Sequence, residues 1–411
     1  MKIALFYLSD LLKKSFIFVC LLGHFSASAK ESLQVSHLLH DGDGLLVIND
    51  QKKILVDINA DEFFVPASTL KVATSLVALD KLGSDYRFKT SFYLTNARDL
   101  YVYGQGDPLL ISEEFPNIVS GLIQAEPSIK EQGIRHIYLD DSFFLANLQV
   151  PGVSHSLNPY DALNQALAAN FNTIYIKRTK AGEIESAEPQ TPMTELTQTL
   201  AKNAPVGLSR VNLATHPKES VLYVGYLLKA FLKAQQVLVS GIISQGTKPK
   251  DLKPVYIHQS SQSLTNVVQS LLKYSTNFTA NQVFLTLGAE ILGAPATLEK
   301  SKQVMNQYLR EQFMFEKFNI EEGAGLSRQN QLTLKQLCVI LKSFDARYRA
   351  LLPEKFEGIY AKTGTLSGLL SLLGVVPKQT PDKTIYFAFV ITHQPTPDKR
   401  AKIARMIAQS F

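Results

Sequence analysis

Apolar side chains at Leu70, Val72, Ala73, Leu76, Val77 and Leu79 wrap more than one face of a helical wheel. A helix of that kind has to be enclosed by other elements, which places it inside a lobe rather than on a surface. Gly83 offers its stop. The preceding "VPASTLK" sets Ser68 at the helix start and Lys71 three residues on, upon the same face. A serine hydroxyl is a poor nucleophile until a base takes its proton. The Lys71 amine can serve if burial or a neighbouring positive charge keeps it neutral. The Ser68 backbone N–H, with no intrahelical acceptor, is open to a developing oxyanion.

The rest of the chain supplies the enclosure. Its 411 residues are 45% hydrophobic and 19% charged, enough for a large core and more than one lobe. Residues 1–29 read as a secretory signal: Lys13 and Lys14 precede "SFIFVCLLG", and "ASA" at Ala27 to Ala29 suits cleavage before Lys30. That run is short for a membrane span, and the mature chain shows no later stretch of membrane length, so a periplasmic protein without a transmembrane anchor is expected. Cys20 would leave with the signal, and Cys338 alone cannot form an internal disulfide. The formal net charge of +6 lies partly in the signal, and no Lys/Arg block interleaves with aromatics, which argues against nucleic acid.

"GLLVINDQKKILVDINADEFF" reads as two strands joined near Asn49 and Asp50. From 86 to 255 short β-like runs alternate with Gly, Pro and Asn, ending in a helix and strand at "SVLYVGYLLKAFLKAQQVLVSGII". Helical patterns follow at "SLTNVVQSLLKYS", "TANQVFLTLGAEILG" and "TLKQLCVILKSF". Strands at "GIYAKTGTL", "LLSLLGVV" and "TIYFAFVITH", a turn at "VPKQTPDKT" and a helix at "DKRAKIARMIAQSF" complete the chain. The expectation is an α+β fold. Parts 30–85 and 256–411 form a lobe of helices and an antiparallel sheet made from both chain ends, and 86–255 is an inserted β-rich domain.

Two further motifs accompany Ser68 and Lys71. "YSTNF" carries Ser275, Thr276 and Asn277 between two helical patterns, and "AKTGTL" carries Lys362, Thr363, Gly364 and Thr365 on a strand, where Gly364 lets substrate backbone approach. Each differs in specificity. Roughly one or two Ser-x-x-Lys pairs arise by chance in such a chain, and one recurs at Ser270 and Lys273, whereas Lys-Thr-Gly is expected on the order of 0.1 times. Ser156 and Asn158 also match Ser-x-Asn but read as a turn. All three motifs in this order form a strong signal.

The chain thereby resembles the penicillin-recognising serine enzymes, and more narrowly the D-alanyl-D-alanine carboxypeptidase/endopeptidase family S13, the class C low-molecular-mass penicillin-binding proteins. "GQGDPLL", "IYLDDSFF" and "EEGAGLSRQNQLT" support it. The resemblance implies a serine β-lactamase/transpeptidase-like lobe and a D,D-carboxypeptidase acting on peptidoglycan stem peptides, with endopeptidase action on crosslinks as an extension. It casts β-lactam antibiotics as covalent inhibitors. By motif, Ser68 is the acylated nucleophile, Lys71 its base and Ser275 the proton relay, while Asn277 holds the substrate amide and helps orient Lys71. Lys362 supplies positive potential, Thr363 and Thr365 bind the terminal carboxylate, and the oxyanion sits between the N–H groups of Ser68 and Thr365. Thr276 replaces the Asp common at that place.

Two other functions share parts of this pattern. A β-lactamase or small esterase would use the same acylating machinery, though no convincing deacylation glutamate motif stands out. A catalytically silent wall-binding protein would not need hydroxyl, amine, amide and the Lys362 charge together. No cofactor is expected, and His37, His40, His136, His155, His216, His258 and His393 are too scattered to suggest a metal site. Glu321 and Glu322 read as turn or loop residues, and Tyr274 as a remote candidate base.

Overall fold

The computed structural model describes residues 37–154, 156, 158–213, 217–378 and 384–411. The expected signal with Cys20, His155, His216 and most of the "VPKQTPDKT" turn lie outside these. No helix among the described residues is long and apolar enough to cross a membrane. Two compact units result: one holds the described residues up to Phe64 with Leu332–Arg347 and Glu354–Phe411, the other Val65–Gln331 with Tyr348–Pro353.

The first unit is built on a six-stranded sheet, in spatial order Glu354–Phe356, Ile359–Leu366, Leu369–Val376, Ile385–Ile391, Gly44–Asn49 and Ile54–Ile58. All its pairings are antiparallel. Both chain ends contribute, as the sequence led us to expect: Gly44 stands opposite Val390 and Asn49 opposite Ile385. Leu369–Val376 and Ile385–Ile391 are buried at every position, which explains their nearly continuous apolar sequences, interrupted by polar groups only at Ser371 and Tyr386. The helix Pro397–Ser410 sets Ile403, Ala404 and Ile407 into a core with Ala361, Leu372 and Phe389. The buried Asp43 carboxylate fastens the sheet's ends, accepting from Thr392 N at 2.7 Å, His393 N at 3.1 Å and His40 N at 3.1 Å. Burial alone would raise this carboxyl, but the backbone donors, together with the Lys399 charge, outweigh it and hold the group below the usual carboxylate range. His37 lies in a turn and His40 in an irregular stretch, not a helix.

The second unit holds a five-stranded sheet, in order Ile243–Gln245, Ile137–Asp140, Leu100–Gly104, Lys89–Leu94 and Tyr256–Gln259. Ile184–Ser186, Thr173–Arg178 and Gly207–Asn212 form a separate three-stranded sheet. Helices Phe115–Ala125 and Pro217–Ala234 share their apolar core. Pro116 and Gly121 hide the first of these in the sequence. The proline sits in the opening turn, where no N–H is needed, and a Cβ on Gly121 would fall 2.3 Å from the Tyr256 hydroxyl. The helix Leu70–Leu82 is buried at every residue from Leu70 to Leu79, Lys71 included, and ends at Gly83 with φ 91°. It packs on helices Leu264–Tyr274 and Asn277–Leu292, so the enclosure implied by its apolar wheel is met.

Candidate active site

Ser68 lies in a single 3-10 turn, Ala67–Thr69, that runs directly into the Leu70–Leu82 helix. Lys71 Nζ stands 2.8 Å from Ser68 Oγ, 2.9 Å from Asn277 Oδ1 and 2.7 Å from the Ala324 carbonyl oxygen. Burial brings this amine down to about 7, against an opposing upward pull from Glu322. The partners suit the neutral form. A neutral amine has two N–H donors and one lone pair; Asn277 Oδ1 and the Ala324 carbonyl take the donors, and the lone pair remains for the Ser68 O–H. Asn277 Nδ2 donates to the Tyr160 carbonyl at 3.3 Å, which fixes the amide with its oxygen toward Lys71.

Asn277 is aimed by a helix junction. The Leu264–Tyr274 helix ends at Ser275, whose left-handed φ of 62° and ψ of 31° turn the chain, and the next helix starts at Asn277. The Ser275 N–H donates to Leu271 O at 2.8 Å, closing the first helix. A cavity of about 410 Å³ beside Ser275 and Asn277 is lined also by Tyr160, Phe171, Arg210 and Tyr274. Tyr274 itself is largely exposed.

The third support is a loop whose role the sequence concealed. Glu322 is fully buried and accepts from Ala324 N at 2.7 Å, Leu326 N at 2.7 Å and Asn330 Nδ2 at 2.7 Å. Its neighbour Gly323 is clamped from two helices: its N–H donates to Asn281 Oδ1 at 2.8 Å, and its carbonyl accepts from Thr74 Oγ1 at 2.7 Å. These bonds hold the Ala324 carbonyl that Lys71 needs. A Cβ built on Gly325, whose φ is 82°, would lie 1.9 Å from the Ala67 carbonyl oxygen, so only glycine lets the loop pass under the Ser68 turn. Ala67 itself has φ 49°, a strained value for a side-chain-bearing residue just before Ser68.

Lys362, Thr363, Gly364 and Thr365 belong to the first unit, on the strand Ile359–Leu366. They face Leu373, Leu372, Ser371 and Leu370 of the neighbouring strand. Lys362 is buried and its Nζ donates to the Thr363 carbonyl at 2.8 Å. The decoy pairs keep ordinary roles. Ser270 lies within a helix and exposed Lys273 rests over the Tyr274 ring at 5.2 Å. Asn158 Nδ2 donates to Ser156 Oγ at 2.9 Å. No group of His, Cys, Asp and Glu suited to a metal occurs among the described residues.

A half-buried serine against a fully buried lysine, completed by an Asn-bearing helix junction on this α+β architecture, is the arrangement of a serine acyl-transfer enzyme of the penicillin-recognising type. The sequence profile of the D-Ala-D-Ala carboxypeptidase 3 (S13) family matches residues 30–207 and 199–351, and the chain belongs to that family. A D-alanyl-D-alanine carboxypeptidase of Actinomadura is 24% identical over 404 residues, spanning 80% of this chain and 73% of the relative. The carboxypeptidase DacB of Haemophilus influenzae is 22% identical, with 83% of each chain covered. The crystal structure of penicillin binding protein 4 from Haemophilus influenzae shares the fold, with a TM-score of 0.72 at 19% identity, over 92% of this chain and 98% of that one. A predatory peptidoglycan endopeptidase from Bdellovibrio bacteriovorus aligns with a TM-score of 0.53 at 18% identity, over 89% of this chain and 91% of that one.

Gly325→Ala is expected to shift the Ser68 turn and slow acylation of Ser68 by a reactive probe about 10²-fold, the scale of a 1 Å misplacement. Stopped-flow acylation alongside a melting curve checks this; a folded variant acylating within twofold of the parent would refute the close-approach argument.

Proposed function

We propose that this protein is a serine D,D-carboxypeptidase that removes the terminal D-alanine of peptidoglycan stem peptides. The observation that carries the reading is the buried Lys71 amine, brought down to about 7 and placed 2.8 Å from Ser68 Oγ. In the proposed cycle the Ser68 hydroxyl passes its proton to neutral Lys71 while Oγ bonds to the carbonyl carbon of the penultimate D-alanine. The Ser68 backbone N–H, with that of Thr365, stabilises the oxyanion. Collapse breaks the peptide C–N bond, and Ser275 relays a proton to the departing D-alanine amine. Water then attacks the ester, with Lys71 again receiving a proton, and frees Ser68. Asn277 holds the substrate amide, Lys362 supplies positive potential, and Thr363 and Thr365 bind the terminal carboxylate beside Gly364.

The family supports this substrate class. Endopeptidase action on crosslinks is proposed as an extension of the same acyl transfer, supported by the activity named for the Bdellovibrio structure. β-Lactams are proposed to acylate Ser68 as well, a reading supported by the β-lactam complex of the Haemophilus protein. Such a substrate implies a periplasmic site of action, which the signal-like residues 1–29 would provide. N-terminal sequencing of the fractionated protein is expected to read Lys30 in the periplasmic pool; an uncleaved chain confined to the cytosol would contradict that placement.

Purified protein is expected to release D-alanine from a stem pentapeptide and to turn over penicillin slowly, because the leaving amine stays tethered to the acyl group and obstructs water. Ser68→Ala should abolish both D-alanine release and the penicillin adduct seen by intact mass, whereas Ser270→Ala should retain them. Rapid penicillin hydrolysis with no peptide cleavage would point to a β-lactamase. Absence of acylation by either would point to a silent binding protein.

A further inference from the structure

The helix Pro397–Ser410 lays Ile403, Ala404 and Ile407 on the sheet, in one core with Ala361. Arg400 precedes Ile403 by three residues and Ala404 by four, so it continues the same helix face. Along the strand, Ala361, Thr363 and Thr365 alternate onto one side of the sheet. The apolar stripe of the helix therefore covers Ala361 and gives way to a guanidinium where the strand reaches Thr365. There Arg400 Nη1 donates to the Gly364 carbonyl at 3.1 Å and to Thr365 Oγ1 at 3.2 Å.

Helix stability does not account for this cation. Arg400 lies just beyond the first turn, near the positive end of the helix dipole, where a negative residue is favoured. Adjacent Lys399 has a carboxylate, Asp43, at 3.6 Å. Arg400 has no carboxylate partner among the described residues, and its Nε is buried without a hydrogen bond. An unneutralised guanidinium thus rests on the threonine proposed to receive the substrate's terminal carboxylate. Its chemistry also sets the polarity of that threonine. Guanidinium has donors and no acceptor, so Thr365 Oγ1 must accept from it, which leaves the Thr365 O–H proton to be donated elsewhere.

We propose that Arg400 is a positioning residue for recognition of the terminal carboxylate: it holds Thr365 as a hydrogen-bond donor and adds positive charge beside it. This rests on the reading of Thr363 and Thr365 as carboxylate-binding groups. Arg400 makes the enzyme select acyl donors ending in a free carboxylate over those ending in an uncharged group.

The test compares kcat/KM for two peptides identical except that one ends in D-alanine with a free carboxylate and the other in its carboxamide. It uses the full mature protein and its Arg400→Gln, Arg400→Lys and Thr365→Val variants. Arg400→Gln is expected to lower the acid-to-amide ratio roughly tenfold, as loss of a charge-assisted contact would. Arg400→Lys, which keeps the charge without the planar fork, should lower it less. A purely structural role would slow both peptides alike, and a ratio within twofold of the parent in a folded Arg400→Gln protein overturns the proposal. Should that variant fail to fold, Arg400→Lys decides: a lowered ratio supports the proposal and a parental one overturns it. A ratio lost in Thr365→Val but kept in Arg400→Gln overturns only the role of Arg400. A parent that does not distinguish acid from amide overturns the carboxylate reading together with it.

Discussion

The proposed chemistry of this molecule rests on one amine. Lys71 is fully buried in a helix that other elements surround, and a charged ammonium there would forfeit its hydration. Burial therefore favours the neutral form, while Glu322 pulls the other way, and the balance lies at about 7. The surroundings can serve the neutral form. Two acceptors, from Asn277 and Ala324, take its N–H groups, and the remaining neighbour is the Ser68 hydroxyl. A lysine paired with a carboxylate at hydrogen-bond distance would stay charged and could take no proton; here the carboxylate acts from behind a loop.

The backbone around this amine is arranged to present acceptors rather than charge. Glu322 turns its oxygens onto the N–H groups of its own loop, leaving the Ala324 carbonyl to face Lys71. Gly325 lets that loop run against the carbonyl of Ala67. Ala67 and Ser275 both adopt positive φ, at 49° and 62°, each at a cost of about 1–3 kcal/mol. Two of the chain's positive-φ residues thus lie beside the proposed catalytic side chains, Ala67 just before Ser68 and Ser275 two residues before Asn277.

The parts of this arrangement that depend on local pattern were legible in the sequence. The all-round apolar helix, the Ser68–Lys71 spacing and the β-pattern shared by both chain ends each follow from periodicity, and each has its counterpart in the structure. The supporting loop was not legible, because "EEGAGLSRQN" is rich in charge and glycine and looks like an ordinary exposed turn. Only the fold shows that Glu322 is enclosed by N–H donors. Arg400 was hidden for a similar reason: in "DKRAKIARMIAQSF" it is one cation among several, and its distinction comes from the register that carries it onto Thr365. Spacing alone also failed to separate Ser68–Lys71 from Ser270–Lys273. Position in the helical pattern separates them, Ser68 at a helix start and Ser270 within a helix, and burial agrees, since Lys71 is enclosed and Lys273 is exposed.

The central claim is that the fold makes Lys71 a base at neutral pH, and its protonation can be observed directly. With ¹³C-labelled lysine, the ε-carbon resonance of Lys71, assigned by its loss in Lys71→Arg, should titrate with a midpoint of about 7 in the folded protein. Below that pH the amine is charged and cannot accept the Ser68 proton; above it the lone pair is free. A midpoint near the ordinary lysine value of 10.5 would contradict the account.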